Sequence, residues 1–206
     1  LVGSEMCIRD RSYTITLKFE LGIQLAASDI NLTQNGCTAS DKNYLAKLRW
    51  ATGNLKSTGS TNYVWTSSTD RGYYYTFYST YTGNKTTNNT DPCSKLNTAY
   101  YGTGWRTPSE NDYIPLSRCT DKVLTNGGMW FMNKSIGIFL LASGSIGWGG
   151  GCSTGSATVG EGTIGEYWSS TKDVNNRALS FAFYNDGTVT MFSDYQATGA
   201  PVRCVK

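Results

Sequence analysis

The stretch that decides the fold is Gly102–Ile114, "GTGWRTPSENDYI", because it contains the clearest helix start in the chain. Thr107 is suited to cap a helix, and Pro108 suits the first helical position. Glu110 lies three residues after Thr107, so its side chain can close a capping box. These residues predict a helix that begins at Pro108.

The same pattern sets where the helix should end. Pro115 has no backbone N–H to donate, so the helix is predicted to span about 108–114. The following "CTDKVLTN" (119–126) is predicted to add a short second helix.

Strand patterns dominate the rest of the chain. From residue 128 onward, apolar and polar residues alternate and glycine is frequent. The clearest hairpin is "ALSFAFYNDGTVTMF" (178–192), in which Asn185, Asp186 and Gly187 supply the turn. The sequence therefore predicts an α+β domain, rich in strands and loops, with one or two short helices.

The composition excludes most catalytic machinery. The chain contains no histidine, which rules out histidine-based nucleophilic catalysis and His-ligated zinc or iron. No two cysteines have CxxC spacing, so thiolate metal sites are not expected, whereas an all-oxygen calcium site stays open. The net charge is only +3 and the basic residues are scattered, so no nucleic-acid partner is expected. No apolar run in this fragment approaches the roughly 18–20 residues of a membrane span.

The first eleven residues are interpreted from their back-translation. "LVGSEMCIRDR" (1–11) has no strand or helix period, and its back-translation matches the mosaic-end adapter of transposase-based sequencing libraries. Residues 1–11 are therefore interpreted as a translated adapter, which removes Cys7 from the cysteine count. "YTITLKF" within residues 12–21 is interpreted as the last strand of a truncated preceding domain, with an edge strand of the main domain as the alternative. Residues 22–206 are predicted to form the main domain.

The order of motifs resembles a known family. "DPCSKL…GTGWRTPSENDY", "GIFLLASG", "GEYWSSTKDVNNRALSFAF" and "GAPVRCVK" resemble, in this order, the C-terminal domain of fimbrillin-like bacterial surface proteins. Such domains are similar to the C-type-lectin-like fold of the formylglycine-generating, sulfatase-modifying factors. The preceding domain is then expected to be fimbrillin-like or immunoglobulin-like.

The resemblance assigns structural roles to several residues. It implies that Trp105, Arg106 and Pro108 open the helix and that Trp168 belongs to a core strand. It also implies a disulfide between Cys93 and Cys204. Three further cysteines stay unassigned, with one either free or deprived of its partner: Cys37, Cys119 and Cys152.

The resemblance implies a binding function. We expect a non-catalytic adhesin or fimbrial component at the cell surface, lipid-anchored at the outer membrane, that binds host or dietary glycans. The first alternative is a structural tip domain that contacts other proteins or fimbrial subunits. A copper oxidase of the sulfatase-modifying type is a remote alternative, because it needs two neighbouring thiolates.

Two sets of residues are candidate ligand contacts. Trp148 is flanked by glycines in the glycine-rich segment 144–162, where it either contacts a ligand or is buried. The second set consists of four loop residues with side-chain oxygens: Asp173, Asn175, Asn176 and Asp194. They either bind a structural calcium ion or are ordinary solvated turn residues. No other cofactor is expected.

Overall fold

The computed structural model describes residues 22–30, 36–57, 63–80, 88–133, 136–146 and 159–206. The interpretations of residues 1–11 and 12–21, and those of Trp148 and Cys152, fall outside these ranges. The described part is rich in strands and has few helices, in agreement with the predicted α+β class.

The strands form two-stranded and three-stranded antiparallel sheets. The two-stranded sheets pair β1 (Ile23–Gln24) with β2 (Arg49–Trp50), and β3 (Leu55–Ser57) with β4 (Tyr63–Trp65). One three-stranded sheet contains β5 (Asp121–Thr125), β6 (Gly128–Asn133) and β7 (Ile136–Leu141). The other contains β8 (Ile164–Lys172), β9 (Ala178–Tyr184) and β10 (Val189–Asp194).

The helices are α1 (Ala39–Leu45), α2 (Thr98–Tyr101) and α3 (Glu110–Cys119), with 3₁₀ turns at Ala27–Asp29 and Pro92–Lys95. The predicted start of α3 at Pro108 and its predicted cap at Thr107 were wrong, because α3 begins at Glu110. Ser109 is the cap, and Asp112 closes the capping box. Thr107 instead donates its N–H and its hydroxyl to Asp91, which takes it out of the capping role.

The predicted end of α3 was also wrong, because Pro115 lies inside the helix and α3 continues to Cys119. A proline in a helix interior removes one hydrogen bond and crowds the preceding turn. Burial of Tyr113 and Leu116 and the disulfide at Cys119 offset this cost. Tertiary packing therefore decides the length of this helix.

The second predicted helix, 119–126, is mostly strand. Asp121–Thr125 is β5, which pairs with β6 through the two-residue turn Asn126-Gly127. Asn-Gly between two strand-forming runs is a strong hairpin signal. The predicted hairpin of β9 and β10 is present, and Asp186 accepts a hydrogen bond from the Thr188 N–H across its turn.

Two large hydrophobic clusters form most of the core of the described residues. The first lies between α3 and the inner faces of the three-stranded sheets, where the Tyr113 and Phe181 rings stack with centroids 4.5 Å apart. The second surrounds Trp168, whose indole N–H donates to the Tyr75 carbonyl at 2.7 Å. Trp105 is also buried in this second cluster.

The segment Gly199–Lys206, called here the central segment, connects these parts. Its alternate residues Val202 and Cys204 belong to the second cluster, whereas Val205 belongs to the first. Its backbone carbonyls accept hydrogen bonds from many separate elements. The donors are the N–H groups of Arg49, Ala51, Leu55, Tyr75, Arg106, Ile146 and Trp168.

Two disulfides cross-link distant parts of the described chain. Cys93–Cys204, the bond that the family resemblance implies, joins a 3₁₀ turn to the central segment across 111 residues of sequence. Cys37–Cys119 joins the residue before the α1 cap to the end of α3 across 82 residues. In the chain-entropy model, loops of this length stabilise the fold by roughly 4–5 kcal/mol each.

An ion pair between the partly exposed Arg106 and the fully buried Asp112 holds the start of α3. The Arg106 guanidinium donates to both carboxylate oxygens of Asp112, at 2.6 and 2.8 Å. Asp112 is fully buried and also accepts from Ser109 N–H, Ser109 hydroxyl and Tyr44 hydroxyl. Burial alone would raise the pKa of Asp112, but the hydrogen bonds from Arg106 and Ser109 outweigh it and lower that pKa.

We predict that Asp112→Ala lowers the free energy of unfolding by about 2 kcal/mol, because it removes the capping box of α3 and the charge-assisted hydrogen bonds from Arg106. Urea denaturation with the disulfides intact measures this. Asn111→Ala, at the exposed neighbouring position, is the control and should change stability by less than about 0.5 kcal/mol. Equal losses in the two variants would contradict the role given to Asp112.

Candidate functional site

The predicted oxygen ligands Asp173, Asn175 and Asn176 lie together in the turn between β8 and β9. The Asp173 carboxylate is already occupied there. It accepts from the N–H groups of Asn175 and Arg177 at 2.9 and 2.8 Å, and from the Ser193 hydroxyl at 2.7 Å. The hydrogen bonds from Ser193 and Arg177 lower the pKa of Asp173. In this structure the carboxylate of Asp173 stabilises the turn.

Asp194, the fourth predicted ligand, does not join this turn. Ser193 directs its side chain to Asp173, and successive side chains of a strand point to opposite faces, so Asp194 lies on the other face of the sheet. Within the described ranges, no group of three or more acidic or cysteine side chains is placed to hold a metal ion. The four predicted oxygen ligands therefore belong to two separate places.

Asp194 lies instead near Glu166, a residue that the sequence analysis did not single out. Glu166 is only 4% exposed, and its Oε1 atom has no hydrogen-bond partner. Burial raises the pKa of Glu166 to about 7; the hydroxyl of Ser145 opposes the rise and the negative charge of Asp194 adds to it. The inward position of Glu166 in "GEYWSS" was the available signal, since strand alternation places it on the same face as Trp168.

Ser145, whose hydroxyl contacts Glu166, lies at the start of the glycine-rich segment 144–162. It exchanges two backbone hydrogen bonds with Val159, at 2.8 and 3.2 Å. Next to it, Ile146 pairs with Gly199 of the central segment. Trp148 lies between Ile146 and Val159 in sequence and outside the described residues, so its predicted ligand contact stays a prediction.

A second feature, called here the aromatic surface, consists of the contacting rings of Trp65 and Tyr101 and of Tyr100, which is next to Tyr101 in α2. Tyr100 is 75% exposed, and Trp65 and Tyr101 are half-buried. The rings of Trp65 and Tyr101 have centroids 4.5 Å apart. The backbone N–H of Trp65 also donates to the Tyr101 hydroxyl at 3.4 Å.

Trp105 supports the aromatic surface from below. Its ring meets the Trp65 ring edge-on, with centroids 4.5 Å apart, and its indole N–H donates to the Tyr101 carbonyl at 2.7 Å. The Lys206 ammonium lies 5.3 Å from the centroid of the Trp105 ring. Trp105 therefore acts as the buried base of this surface, and its neighbours Trp65 and Tyr101 are partly exposed.

Local sequence explains how α2 presents these rings. Asn97 caps α2 by accepting from the Ala99 N–H, and Gly102 ends the helix with a positive φ of 72°. Residue Leu96 immediately before the cap packs in the second cluster beside Cys93. The disulfide to Cys204 thus fixes the segment that carries Tyr100 and Tyr101.

Searches against protein-family models, curated proteins and solved structures gave no match to this chain. Among the described helices, none has the length and apolar character needed to cross a membrane.

We predict that wild-type stability falls as pH rises from about 4.5 to about 7. The pKa of Glu166 is higher in the folded state than its ordinary value of 4.5, so the folded state binds more protons in this window. The contribution that is lost is on the order of 3 kcal/mol. Urea denaturation at several pH values measures this.

Glu166→Gln should remove this part of the pH dependence, because the amide does not titrate. Glu110→Gln, a half-buried substitution in α3, is the matched control and should keep the wild-type fall. An unchanged pH profile in Glu166→Gln would contradict the assignment to Glu166.

Proposed function

We propose that this chain is a non-catalytic, ligand-binding domain of a cell-surface adhesin or fimbrial protein, and that it binds glycans through the aromatic surface. The observation that carries the proposal is the partly exposed ring pair Trp65 and Tyr101, which packs on the buried Trp105, with the exposed ring of Tyr100 next to Tyr101 in α2. Aromatic rings provide large apolar faces at a low cost in conformational entropy. The C–H faces of sugar rings can stack on such surfaces.

The cysteine chemistry supports an extracellular setting. Disulfides form and persist in oxidising compartments and are rare in the cytosol. Both disulfides of the described chain link positions far apart in sequence, as structural cross-links do. A C-type-lectin-like fold agrees with the motif order and stays part of the proposal.

The same bonds count against the oxidase alternative. A copper(I) site of that type needs two free thiolates side by side. Cys204, the cysteine of the last strand motif, is bonded to Cys93. The proposal therefore includes no catalytic step and no resident cofactor, and a calcium ion has at most a structural role.

A protein-binding function is the second candidate, and it would use a different surface. Val123 and Leu124 lie on β5, which is an edge strand, and each is 43% exposed. Exposed apolar residues on a strand edge are suited to contact with another protein. A binding partner at β5 would leave the aromatic surface free.

A glycan and mucin array, run with the full chain in calcium and again in EDTA, tests the proposal. We predict reproducible glycan binding that EDTA does not abolish, because stacking on aromatic rings needs no metal. A blank array from folded, monomeric protein would contradict glycan binding and favour the protein-binding candidate. Binding lost in EDTA would contradict stacking as its main source.

Point variants then test the surface itself. Tyr100→Ala and Trp65→Leu should each weaken binding of an array-positive glycan about tenfold, which corresponds to about 1.4 kcal/mol. Tyr195→Ala is the control, because Tyr195 is 63% exposed but packs against Arg177 elsewhere on the chain. Titration calorimetry measures the affinities, and unchanged affinity in both surface variants would overturn the assignment.

A further inference from the structure

A groove lies at the end of the β8–β10 sheet where β8 begins. Three turns surround it: the β5–β6 turn at Asn126, the turn before β8 at Thr163 and the β9–β10 turn at Asn185. Its volume is about 320 Å³. This value lies at the lower end of the range for small-molecule sites.

Glycine backbone keeps the groove open. Gly127 and Gly162 both have positive φ, 88° and 81°, and a Cβ atom at either position would meet no atom within 4 Å. The turns are fixed by hydrogen bonds from Ala142 N–H to the Gly127 carbonyl and from Gly162 N–H to the Ala142 carbonyl, each 2.7 Å. A ligand can therefore approach the backbone closely in a preformed site.

The rim of the groove offers unused polar groups. Asn126 and Asn185 are exposed, and in the described part of the chain their carboxamides make no hydrogen bond. The hydroxyls of Thr125 and Thr163 donate to the carbonyls of Gly128 and Gly160. Their oxygen lone pairs remain able to accept hydrogen bonds.

The lining has no charged side chain. Its apolar part consists of Leu124, Ala142 and the buried ring of Phe183. An acidic ligand would find no cation here, and a basic ligand would find no carboxylate. The chemistry of the lining therefore selects a neutral ligand that has several hydrogen-bonding groups.

We infer that this groove is a second binding site, separate from the aromatic surface, for one neutral sugar ring. A carboxamide presents a donor and an acceptor side by side, which matches the paired hydroxyls or the acetamido group of a sugar. Asn126 and Asn185 supply two such pairs from two different turns of the lining. The ligand class rests on the proposed function, whereas the position of the groove does not.

The test is an NMR titration of the ¹⁵N-labelled full chain with N-acetylglucosamine, galactose and glucuronic acid. We expect saturable shifts of the Gly127, Gly128 and Gly162 amides with at least one neutral sugar and none with glucuronic acid. Asn126→Ala and Asn185→Ala should each weaken that binding about tenfold. No shifts with either neutral sugar, or shifts that survive both variants, would overturn the inference.

Two controls keep this inference distinct from the proposed function. Asn111→Ala removes an exposed carboxamide near the other end of β8, where Glu110 N–H bonds to Thr171, and should leave sugar affinity unchanged. Tyr100→Ala should leave the groove shifts unchanged as well.

A positive glycan array without groove shifts would refute only the groove. Groove shifts with a glycan affinity insensitive to Tyr100→Ala and Trp65→Leu would support the groove and refute the aromatic surface.

Discussion

The rest of the fold depends on the hydrogen bonds that the buried guanidinium of Arg203 donates to two distant carbonyls. Arg203 is 1% exposed, and it donates to the Ala51 carbonyl at 3.2 Å and the Phe139 carbonyl at 2.8 Å. No ion pair to Arg203 is present among the described residues, so these carbonyls and the surrounding packing must hold a buried charge. The two carbonyls belong to different sheet regions, next to β2 and on β7. One side chain thus couples regions that have no short connection in sequence.

The central segment around Arg203 transfers this constraint to the binding surfaces. Cys204 is bonded to Cys93, and the segment that follows Cys93 carries the exposed Tyr100 and Tyr101. Val205 exchanges two backbone hydrogen bonds with Arg106, next to Trp105, which is the base of the aromatic surface. The proposed stacking site is therefore rigid because the core holds it. The groove is built differently, from turns at the end of the β8–β10 sheet, so ligand binding at one site need not affect the other.

Local patterns predicted the elements whose stability is local. The Asp186-Gly187 turn, the alternation in β9 and the strand-rich character follow directly from sequence. The predicted end of α3 was wrong, because Pro115 favours a helix end locally whereas the disulfide and the packing extend the helix past it. The helix α1 was overlooked although Thr38 and Asp41 form a capping box. At the site, exposed rings such as Tyr100 could not be distinguished from buried ones, because burial depends on tertiary contacts.

Native-state hydrogen exchange tests the central role of the segment Gly199–Lys206 most directly. The N–H groups of Ala51, Tyr75, Arg106 and Trp168 lie in four separate parts of the chain, and each donates to a carbonyl of this segment. If the central segment holds all four regions together, their amides can exchange only when the whole fold opens. Each amide should then exchange with the same free energy, equal to that of global unfolding. The same denaturant dependence should then apply to all four amides. Exchange of the Arg106 or Trp168 amide through a local opening of much lower free energy, with Ala51 still protected, would contradict the account.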